Sequence, residues 1–213
     1  MDHADFPTRI SLDEALAIIG QVSAARRPAA ERVPTSRADG RVLAADVVAP
    51  MALPGFDNSA MDGFALRHAD LHPDAATALR LAGEQFAGRD LGLAPATGQC
   101  VRITTGAPMP EGTDTVLIKE SAVLDGDTVL VPAGLARGAN VRRRAEDVQV
   151  GDVVLHAGQV LTPARIGLAA SLGIDRLAVS PRPTVAVFAS GDELVEPGLP
   201  LQRGEVYNSN RDL

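Results

Sequence analysis

The densest group of polar side chains with catalytic potential lies in residues 56–65, which read FDNSAMDGFA. The carboxylates, the amide and the hydroxyl could bind cations or exchange protons, and Gly63 would let the backbone pass close to a ligand. Asp, Asn and Ser also build ordinary turns, so the residue types alone favour a turn by roughly two to one. Both interpretations of Ser59 and Asp62 therefore remain open at this point.

A second cluster of charged side chains lies in residues 142–147, which read RRRAED. Arg143 and Arg144 could hold an oxyanion, because a guanidinium group offers forked N–H donors. Glu146 and Asp147 could bind a hard cation through their carboxylate oxygens. A solvated run of charges with internal ion pairs explains the same residues equally well.

Two further polar groups follow predicted strands. Residues 104–108 read TTGAP, and the Thr105 hydroxyl beside a glycine could present Oγ1 and backbone N–H groups to a phosphate. Such a segment is more often a plain strand exit. Asp192 and Glu193 directly follow the apolar run 184–190, and ligands of open α/β sheets bind at the carboxyl ends of strands. This placement favours a functional role for the two acids.

Two other residue types invite a chemical interpretation that the pattern does not favour. His68 and His72 are four residues apart and would share one face of a helix, but the adjacent Pro73 indicates a loop or a helix end. The pattern does not favour a metal site, because zinc requires a fuller set of ligands. Cys100 precedes an alternating strand and is interpreted as a small buried hydrophobe rather than a nucleophile.

The spacing of apolar residues predicts the elements that carry these groups. Ser11 and Glu14 fit a capping box that begins a helix, with Gly20 as a plausible stop. Residues 60–140 contain short β-like segments separated by turns, which predicts a β-rich domain. The predicted strands in this region are residues 101–104, 115–118 and 128–131.

The segment that follows mixes a predicted hairpin, a helix and a strand. Residues 148–161 predict the hairpin, and Thr162 with Pro163 predicts the N-cap and first position of a helix that ends at Gly173. Residues 177–179 predict a short strand.

The last apolar run is typical of a strand that is buried on both faces. Residues 184–190 are almost continuously apolar, as in a parallel sheet. Such a strand needs neighbours and covering helices that the remaining residues cannot supply. We therefore expect the sequence to end inside a third domain, and residues 184–213 to be disordered or mispaired.

The composition excludes several classes of protein. The chain has 213 residues and a net charge of −7, which argues against a nucleic-acid-binding protein. Its 46% apolar content fills a core, and its single cysteine excludes an internal disulfide. No apolar run approaches the ~20 residues that span a bilayer, and the acidic residues 1–5 lack a signal-peptide pattern. We expect a cytoplasmic protein that binds neither membranes nor nucleic acids.

These polar groups, in this order, resemble the motifs of the MoeA family, the molybdopterin molybdenumtransferases. The departures are Phe64 where Tyr is usual and Ala145 where Gly is usual, and alanine does not adopt a positive φ easily. The segments that carry the resemblance are 56–65 (the family's FDNSAMDGYA), 102–110 (its TGAPxP loop), 142–147 (its RxxGED), and 191–194 with 204–210 (the opening of its pterin-binding domain).

The resemblance implies an α+β, mixed multidomain fold. A discontinuous first domain, residues 1–50 plus 140–182, would carry an inserted β-rich domain, residues 51–139. Residues 183–213 would be the truncated start of a MogA-like α/β domain that binds molybdopterin. The family forms homodimers, with the site between the first two domains of one subunit and the third domain of the other.

The resemblance also implies a reaction, the insertion of molybdate into adenylylated molybdopterin with release of AMP and dependence on Mg²⁺. Because carboxylates repel molybdate, Asp62 and Asp147 should share a pocket and act through a bound cation, or one of them should be protonated. Thr105 completes the implied catalytic set by hydrogen-bonding an oxyanion. The implied cofactor-binding residues are Ser59, Arg143, Arg144, Asp192 and Glu193.

Other functional interpretations remain open beside this one. We expect this chain to be inactive by itself, because most of the nucleotide-binding surface would be absent. The alternative is a non-catalytic dimerisation or binding module of the molybdenum cofactor pathway, with a MogA-like adenylyltransferase as a possible partner. A distant third is a carboxylate-dependent metal hydrolase that cleaves phosphoesters without a pterin.

Overall fold

The protein was analysed as a computed structural model that describes residues 10–25 and 29–211. Residues 1–5, which were expected to lack a signal-peptide pattern, lie outside the described residues. The described part divides into two units. One is Glu31–Val179, and the other comprises the described residues of the ranges 1–30 and 180–213.

The described residues form a mixed α/β structure that consists mostly of short strands. The helices are α1 (Leu12–Ala25) and α2 (Pro163–Ser171). The strands are β1 (Glu31–Pro34), β2 (Val47–Val48), β3 (Asn58–Ser59), β4 (Gly63–Leu66), β5 (Thr77–Gln85), β6 (Gln99–Ile103), β7 (Thr115–Ile118), β8 (Val123–Asp125), β9 (Thr128–Val131), β10 (Val141–Arg142), β11 (Val153–Leu155), β12 (Arg176–Val179), β13 (Leu194–Val195) and β14 (Val206–Tyr207).

Helix α1 begins with the predicted capping box. The Glu14 N–H donates to Ser11 Oγ over 3.2 Å, and the Ser11 N–H donates to Glu14 Oε2 over 2.8 Å. The predicted stop at Gly20 is wrong, because the helix continues to Ala25 and a glycine in a helix interior costs only about 1 kcal/mol. Among the described residues, neither helix has the length and apolarity that a membrane span requires.

A six-stranded sheet forms the centre of Glu31–Val179. Its strand order is β7-β4-β6-β5-β9-β8, with β5 and β6 parallel and the other neighbours antiparallel. The predicted strands 115–118 and 128–131 are confirmed without shift, and the strand predicted at 101–104 is Gln99–Ile103. Every strand of this sheet lies within the predicted β-rich region.

One face of this sheet packs a continuous apolar core. Cys100 is completely buried there, which confirms its interpretation as a small hydrophobe, and burial raises the pKa of its thiol to about 11. The other buried members are Phe64, Leu66, Leu79, Leu117, Val129 and Val131.

A second apolar core is formed by chain segments that come before and after the six-stranded sheet in the sequence. Strand β1 pairs with β12, and β2 pairs with β11, so residues 31–48 are closed against residues 153–179. The hairpin predicted at 148–161 is therefore wrong, because β11 finds its partner about a hundred residues earlier in the chain. The predicted cap of α2 is confirmed, since Thr162 Oγ1 accepts the Arg165 N–H at 3.5 Å.

The predicted strand at 184–190 is absent. These residues have no regular structure, and the side chains of Val185 and Phe188 are 74% and 89% exposed. An apolar strand needs paired neighbours and covering elements, and none lies against this run among the described residues. The adjacent polar segment does form a small parallel pair, β13 with β14.

Gly63 allows two strands to approach each other closely. It begins β4 opposite Ile118 of β7, and a Cβ atom at this position would lie 1.9 Å from the carbonyl oxygen of Leu117. The close approach expected of Gly63 is thus made to a neighbouring strand. Because backbone atoms cannot move aside cheaply, only glycine fits this position.

The Gly63→Ala variant should lower the free energy of unfolding by at least about 2 kcal/mol, because the added methyl group collides with the β7 backbone. Urea denaturation measures the change. The matched control is Gly167→Ala in α2, where a Cβ meets nothing within 4 Å and should stabilise the protein by about 0.5–1 kcal/mol. Equal stability of Gly63→Ala and the wild type would contradict this packing.

Candidate functional site

The Asp62 carboxylate joins two of the motifs that the sequence singled out. Its Oδ1 atom accepts the Thr105 backbone N–H over 2.8 Å and the Thr105 hydroxyl over 2.9 Å. Asp62 stands immediately before β4 and Thr105 two residues after β6, and these strands are antiparallel neighbours. The sheet therefore brings together two residues that are 43 positions apart.

Hydrogen bonding fixes the charge state of Asp62. The backbone N–H of Thr105 and then its hydroxyl lower the pKa of the Asp62 carboxyl most strongly. Desolvation opposes them, and the Lys119 ammonium group lowers the pKa by less than either effect of Thr105. Lys119 Nζ lies 3.5 Å from Asp62 Oδ2. Asp62 is therefore an oriented, ionised carboxylate, with Thr105 on one oxygen and a cation near the other.

Asp62 and Lys119 line a cavity of about 340 Å³ at this edge of the sheet. Its apolar lining includes Phe64 and Leu81, and Arg102 adds a second cation that pairs with Glu84 over 3.2 Å. The other lining residues are Gly63, Ile103, Thr104, Ala122 and Leu124. A cavity that combines apolar lining with a few charged groups is typical of a small-molecule site.

A second acid, Asp57, holds the arginine-rich loop against the first motif. Its Oδ1 accepts the Arg144 backbone N–H over 2.7 Å, and its Oδ2 accepts from Arg143 Nη1 over 2.8 Å. Both bonds lower the pKa of the Asp57 carboxyl, that from the Arg144 N–H most strongly. Strand β3 also pairs with β10 directly beside this contact.

The three arginines of the loop are in different situations. Arg142 forms ion pairs with Asp147 and with Glu146, and Arg143 is bound to Asp57. Among the described residues, no hydrogen bond or ion pair is observed for the Arg144 side chain, which is exposed. Of the two arginines predicted to bind an anion, Arg144 is therefore the one with an unengaged guanidinium.

Ala145 has the backbone conformation that its usual glycine would take. Its φ is 63°, in the left-handed region that costs a residue with a Cβ about 1–2 kcal/mol. The Ala145 N–H donates to the Pro54 carbonyl over 3.0 Å, and the Asp147 N–H donates to that of Leu53 over 2.9 Å. These two bonds fix the path of the loop on either side of the strained alanine.

The Ser59 hydroxyl is hydrogen-bonded to the backbone of Met61, two residues further along the chain. The side chain is 1% exposed, and its hydroxyl donates to the Met61 carbonyl over 2.5 Å. In this conformation the Ser59 side chain is not accessible to a ligand. Its predicted cofactor-binding role stays a prediction.

Asp192 and Glu193 belong to the other unit. Glu193 lies beside Gly191, and its carbonyl accepts the Val206 N–H over 2.8 Å next to the β13–β14 pair. Their role in a pterin and nucleotide site stays a prediction.

The predicted magnesium ligands do not form a metal site on their own. Asp62 is engaged by Thr105 and Lys119, and Asp147 by Arg142, so the two carboxylates share no partner. Asp147 also does not line the cavity beside Asp62. Within residues 10–25 and 29–211, no three or more His, Cys, Asp or Glu residues are grouped as metal ligands. Because Mg²⁺ is commonly held by one or two carboxylates together with substrate oxygens, the Mg²⁺ assignment stays a prediction.

His68 and His72 lie in a short 3₁₀ turn and the loop after it, as the adjacent Pro73 predicted. His68 begins a 3₁₀ turn, His68–Asp70, and its Nε2 lies 2.8 Å from the Leu135 carbonyl. His72 lies in the following loop, where its Nδ1 accepts the Asp74 N–H. The prediction of a loop or helix end is confirmed.

Sequence reasoning missed the roles of Asp57 and Lys119. Lys119 is the chain's only lysine, and its type and position carried no signal on their own. Asp57 stood within the first motif, but nothing in the sequence indicated that its partners were 86 and 87 residues away.

Comparison with known proteins identifies relatives of this chain. A profile of the MoeA N-terminal region (domain I and II) matches residues 10–173. The chain is 43% identical over 205 residues to molybdopterin molybdenumtransferase 2 of Mycobacterium tuberculosis, covering 94% of this chain and 50% of that protein. It is 44% identical over 175 residues to molybdopterin molybdenumtransferase of Haemophilus influenzae, covering 82% and 43%.

The fold is similar to a solved structure as well. The crystal structure of the molybdopterin biosynthesis moeA protein from Pyrococcus horikoshii OT3 superposes with a TM-score of 0.80 at 33% sequence identity, over 85% of this chain and 49% of that one. The chain spans about half the length of the curated relatives it matches.

The Thr105→Ala variant should raise the pKa of Asp62 part of the way to its ordinary value, because the hydroxyl bond is lost and the backbone N–H remains. Since the wild-type pKa is lowered, Asp62 in the variant should take up its proton at a higher pH. A ¹³C NMR titration of the carboxyl carbon measures this, with Thr104→Ala as the control. An unchanged Asp62 titration in Thr105→Ala would exclude the hydroxyl bond.

The Ala145→Gly variant should raise the free energy of unfolding by up to about 1 kcal/mol, because glycine adopts a positive φ without steric cost. Thermal denaturation measures the change. Ala133→Gly is the control, since that exposed residue has a negative φ and should lose about 0.5–1 kcal/mol. Destabilisation of both variants alike would argue against strain at position 145.

Proposed function

The chain belongs to the MoeA family of molybdenum cofactor biosynthesis, and from this premise we propose that it carries part of a molybdopterin molybdenumtransferase active site. The proposed reaction inserts molybdate into adenylylated molybdopterin and releases AMP. Because the chain covers about half of its relatives, the proposal assigns it one part of the site and no turnover on its own.

The observation that carries the proposal is the pair of hydrogen bonds between Asp62 and Thr105. It unites two motifs by which the chain resembles the family and leaves an ionised carboxylate at the rim of a cavity. An ionised carboxylate in a fixed orientation can accept a hydrogen bond from a protonated oxygen of an approaching oxyanion and orient that oxygen for departure. Asp62 and Thr105 are therefore the proposed catalytic pair.

The second loop supplies the remaining proposed residues. Arg144 would bind an anionic group of the substrate. Arg143 is the second arginine proposed for this role, and it would have to exchange its ion pair with Asp57 for one with the substrate. Asp147, in the same loop, is the third proposed catalytic residue and the second proposed magnesium ligand beside Asp62. Its charge is balanced by the ion pair with Arg142. Ser59, Asp192 and Glu193 are the further residues proposed for pterin and nucleotide binding.

The predicted domain organisation is part of the proposal. The proposed bounds are a discontinuous first domain, 1–50 plus 140–182, around an inserted domain, 51–139. The pairing of residues 31–48 with 153–179 supports the discontinuity of the first domain, while the described residues of the ranges 1–30 and 180–182 fall in the other unit of the structure. Residues 183–213 are proposed as the start of the MogA-like domain. A homodimer, a MogA-like adenylyltransferase as partner and a cytoplasmic location complete it.

One observation favours the second candidate, a non-catalytic dimerisation or binding module. Helix α1 exposes apolar side chains along its length, with Leu12 74% and Ile19 63% exposed. An exposed apolar helix face is typical of a surface that another protein or domain covers. The two candidates differ in whether Asp62 is needed for AMP release.

The Asp62→Asn substitution should reduce AMP release about 100-fold, because it removes the charge and proton-accepting ability of the carboxylate. The assay uses a chimera in which residues 10–173 of this chain replace the matching part of the Haemophilus relative, with molybdate and adenylylated molybdopterin. Quantified AMP and inserted molybdenum are the readouts.

Asp125→Asn, at the exposed last position of β8, is the matched control and should keep full activity. The 213-residue chain alone should release no AMP above the buffer rate. A folded chimera that is inactive, or one indifferent to Asp62→Asn, would favour the binding module. Phosphoester cleavage by the chain without a pterin would favour a hydrolase instead.

A further inference from the structure

We propose that Lys119 is the positioning residue of Asp62, and that its ammonium group supplies the positive charge that lets an oxyanion approach this carboxylate. Lys119 thereby takes the place that a protein-held divalent cation was expected to fill. The inference deepens the proposed function and rests on it for the identity of the oxyanion. It requires no metal ion between Asp62 and Asp147.

The register of the sheet fixes Lys119 opposite Asp62. Gly63 of β4 pairs with Ile118 of β7 in antiparallel fashion, so the residue before β4 faces the residue after β7. The Lys119 backbone N–H donates to the Asp62 carbonyl over 3.0 Å, which extends the ladder by one further bond. The lysine is thus tied to Asp62 by its backbone as well as by its side chain.

The two oxygens of the carboxylate are bound from different directions. Thr105 places both of its donors on Oδ1, and Lys119 Nζ lies 3.5 Å from Oδ2. Every neighbour is a hydrogen-bond donor, and one is a cation. A divalent ion would have to displace these donors and overcome repulsion by the ammonium group.

The other charged groups of the cavity leave Lys119 as the partner of Asp62. Arg102 pairs with Glu84, and Glu120 lies 3.9 Å from the Lys119 ammonium, farther than Asp62 does. The Lys119 side chain is 59% exposed, so it can reach an incoming oxyanion without leaving Asp62. Solvent exposure also limits the expected effects to modest fold-changes.

The test measures metal and anion binding to the 213-residue chain by NMR, with the Thr105 amide as the reporter of Asp62. Mn²⁺ should broaden this amide in the wild type only with an affinity weaker than about 1 mM. Lys119→Gln should bind Mn²⁺ about fivefold more tightly at this place, because the repelling charge is gone. Molybdate should perturb the same amide in the wild type, and about fivefold more weakly in Lys119→Gln.

Two control variants separate positioning from general structural damage. Lys119→Arg keeps the charge and should resemble the wild type in both titrations. Arg102→Gln removes the other cation of the same cavity and, because Arg102 is paired with Glu84 and not with Asp62, should change Mn²⁺ affinity at Thr105 by less than Lys119→Gln does. Wild-type and Lys119→Gln chains with equal Mn²⁺ and molybdate affinities would overturn the inference.

The outcome is separable from that of the proposed function. Binding at Thr105 is measured without turnover, so an inactive chimera would leave the Mn²⁺ result standing and remove only molybdate as the physiological oxyanion. Conversely, an active chimera combined with tight Mn²⁺ binding at wild-type Asp62 would overturn the role of Lys119 and keep the reaction.

Discussion

Two hydrogen bonds from one threonine to one carboxylate oxygen hold the candidate site together. Because the N–H and hydroxyl of Thr105 both donate to Asp62 Oδ1, the loop before β4 and the loop after β6 cannot move independently. The bonds also keep Asp62 ionised, since they stabilise the charged form. The proposed chemistry depends on this fixed carboxylate, which lies at the cavity beside Lys119.

A second, similar contact ties down the arginine-rich loop. Asp57 accepts from the backbone of Arg144 and the side chain of Arg143, and the β3–β10 pair lies beside it. The loop tolerates a left-handed alanine at position 145 because surrounding hydrogen bonds determine its path. In both loops, carboxylates close to one another in sequence act as anchors for segments far along the chain.

The sequence predicted local features well where the signal was itself local. The capping box at Ser11 and Glu14, the N-cap at Thr162 and the strands of 115–118 and 128–131 depend on neighbouring residues, and all are confirmed. The hairpin at 148–161 failed because β11 pairs with β2 instead. The strand at 184–190 failed because apolar character specifies burial only when something is present to bury it.

For the site, the residue types alone determined which groups could do chemistry: Asp62, Thr105, Asp147 and the arginines stand in motifs that sequence comparison assigns to the MoeA family. Which of them meet was decided by the tertiary structure. The register of β4 between β6 and β7 brought Thr105 and Lys119 to Asp62, while Asp147 paired with Arg142. Strand register is set by packing across the whole sheet, and no spacing within a single segment encodes it.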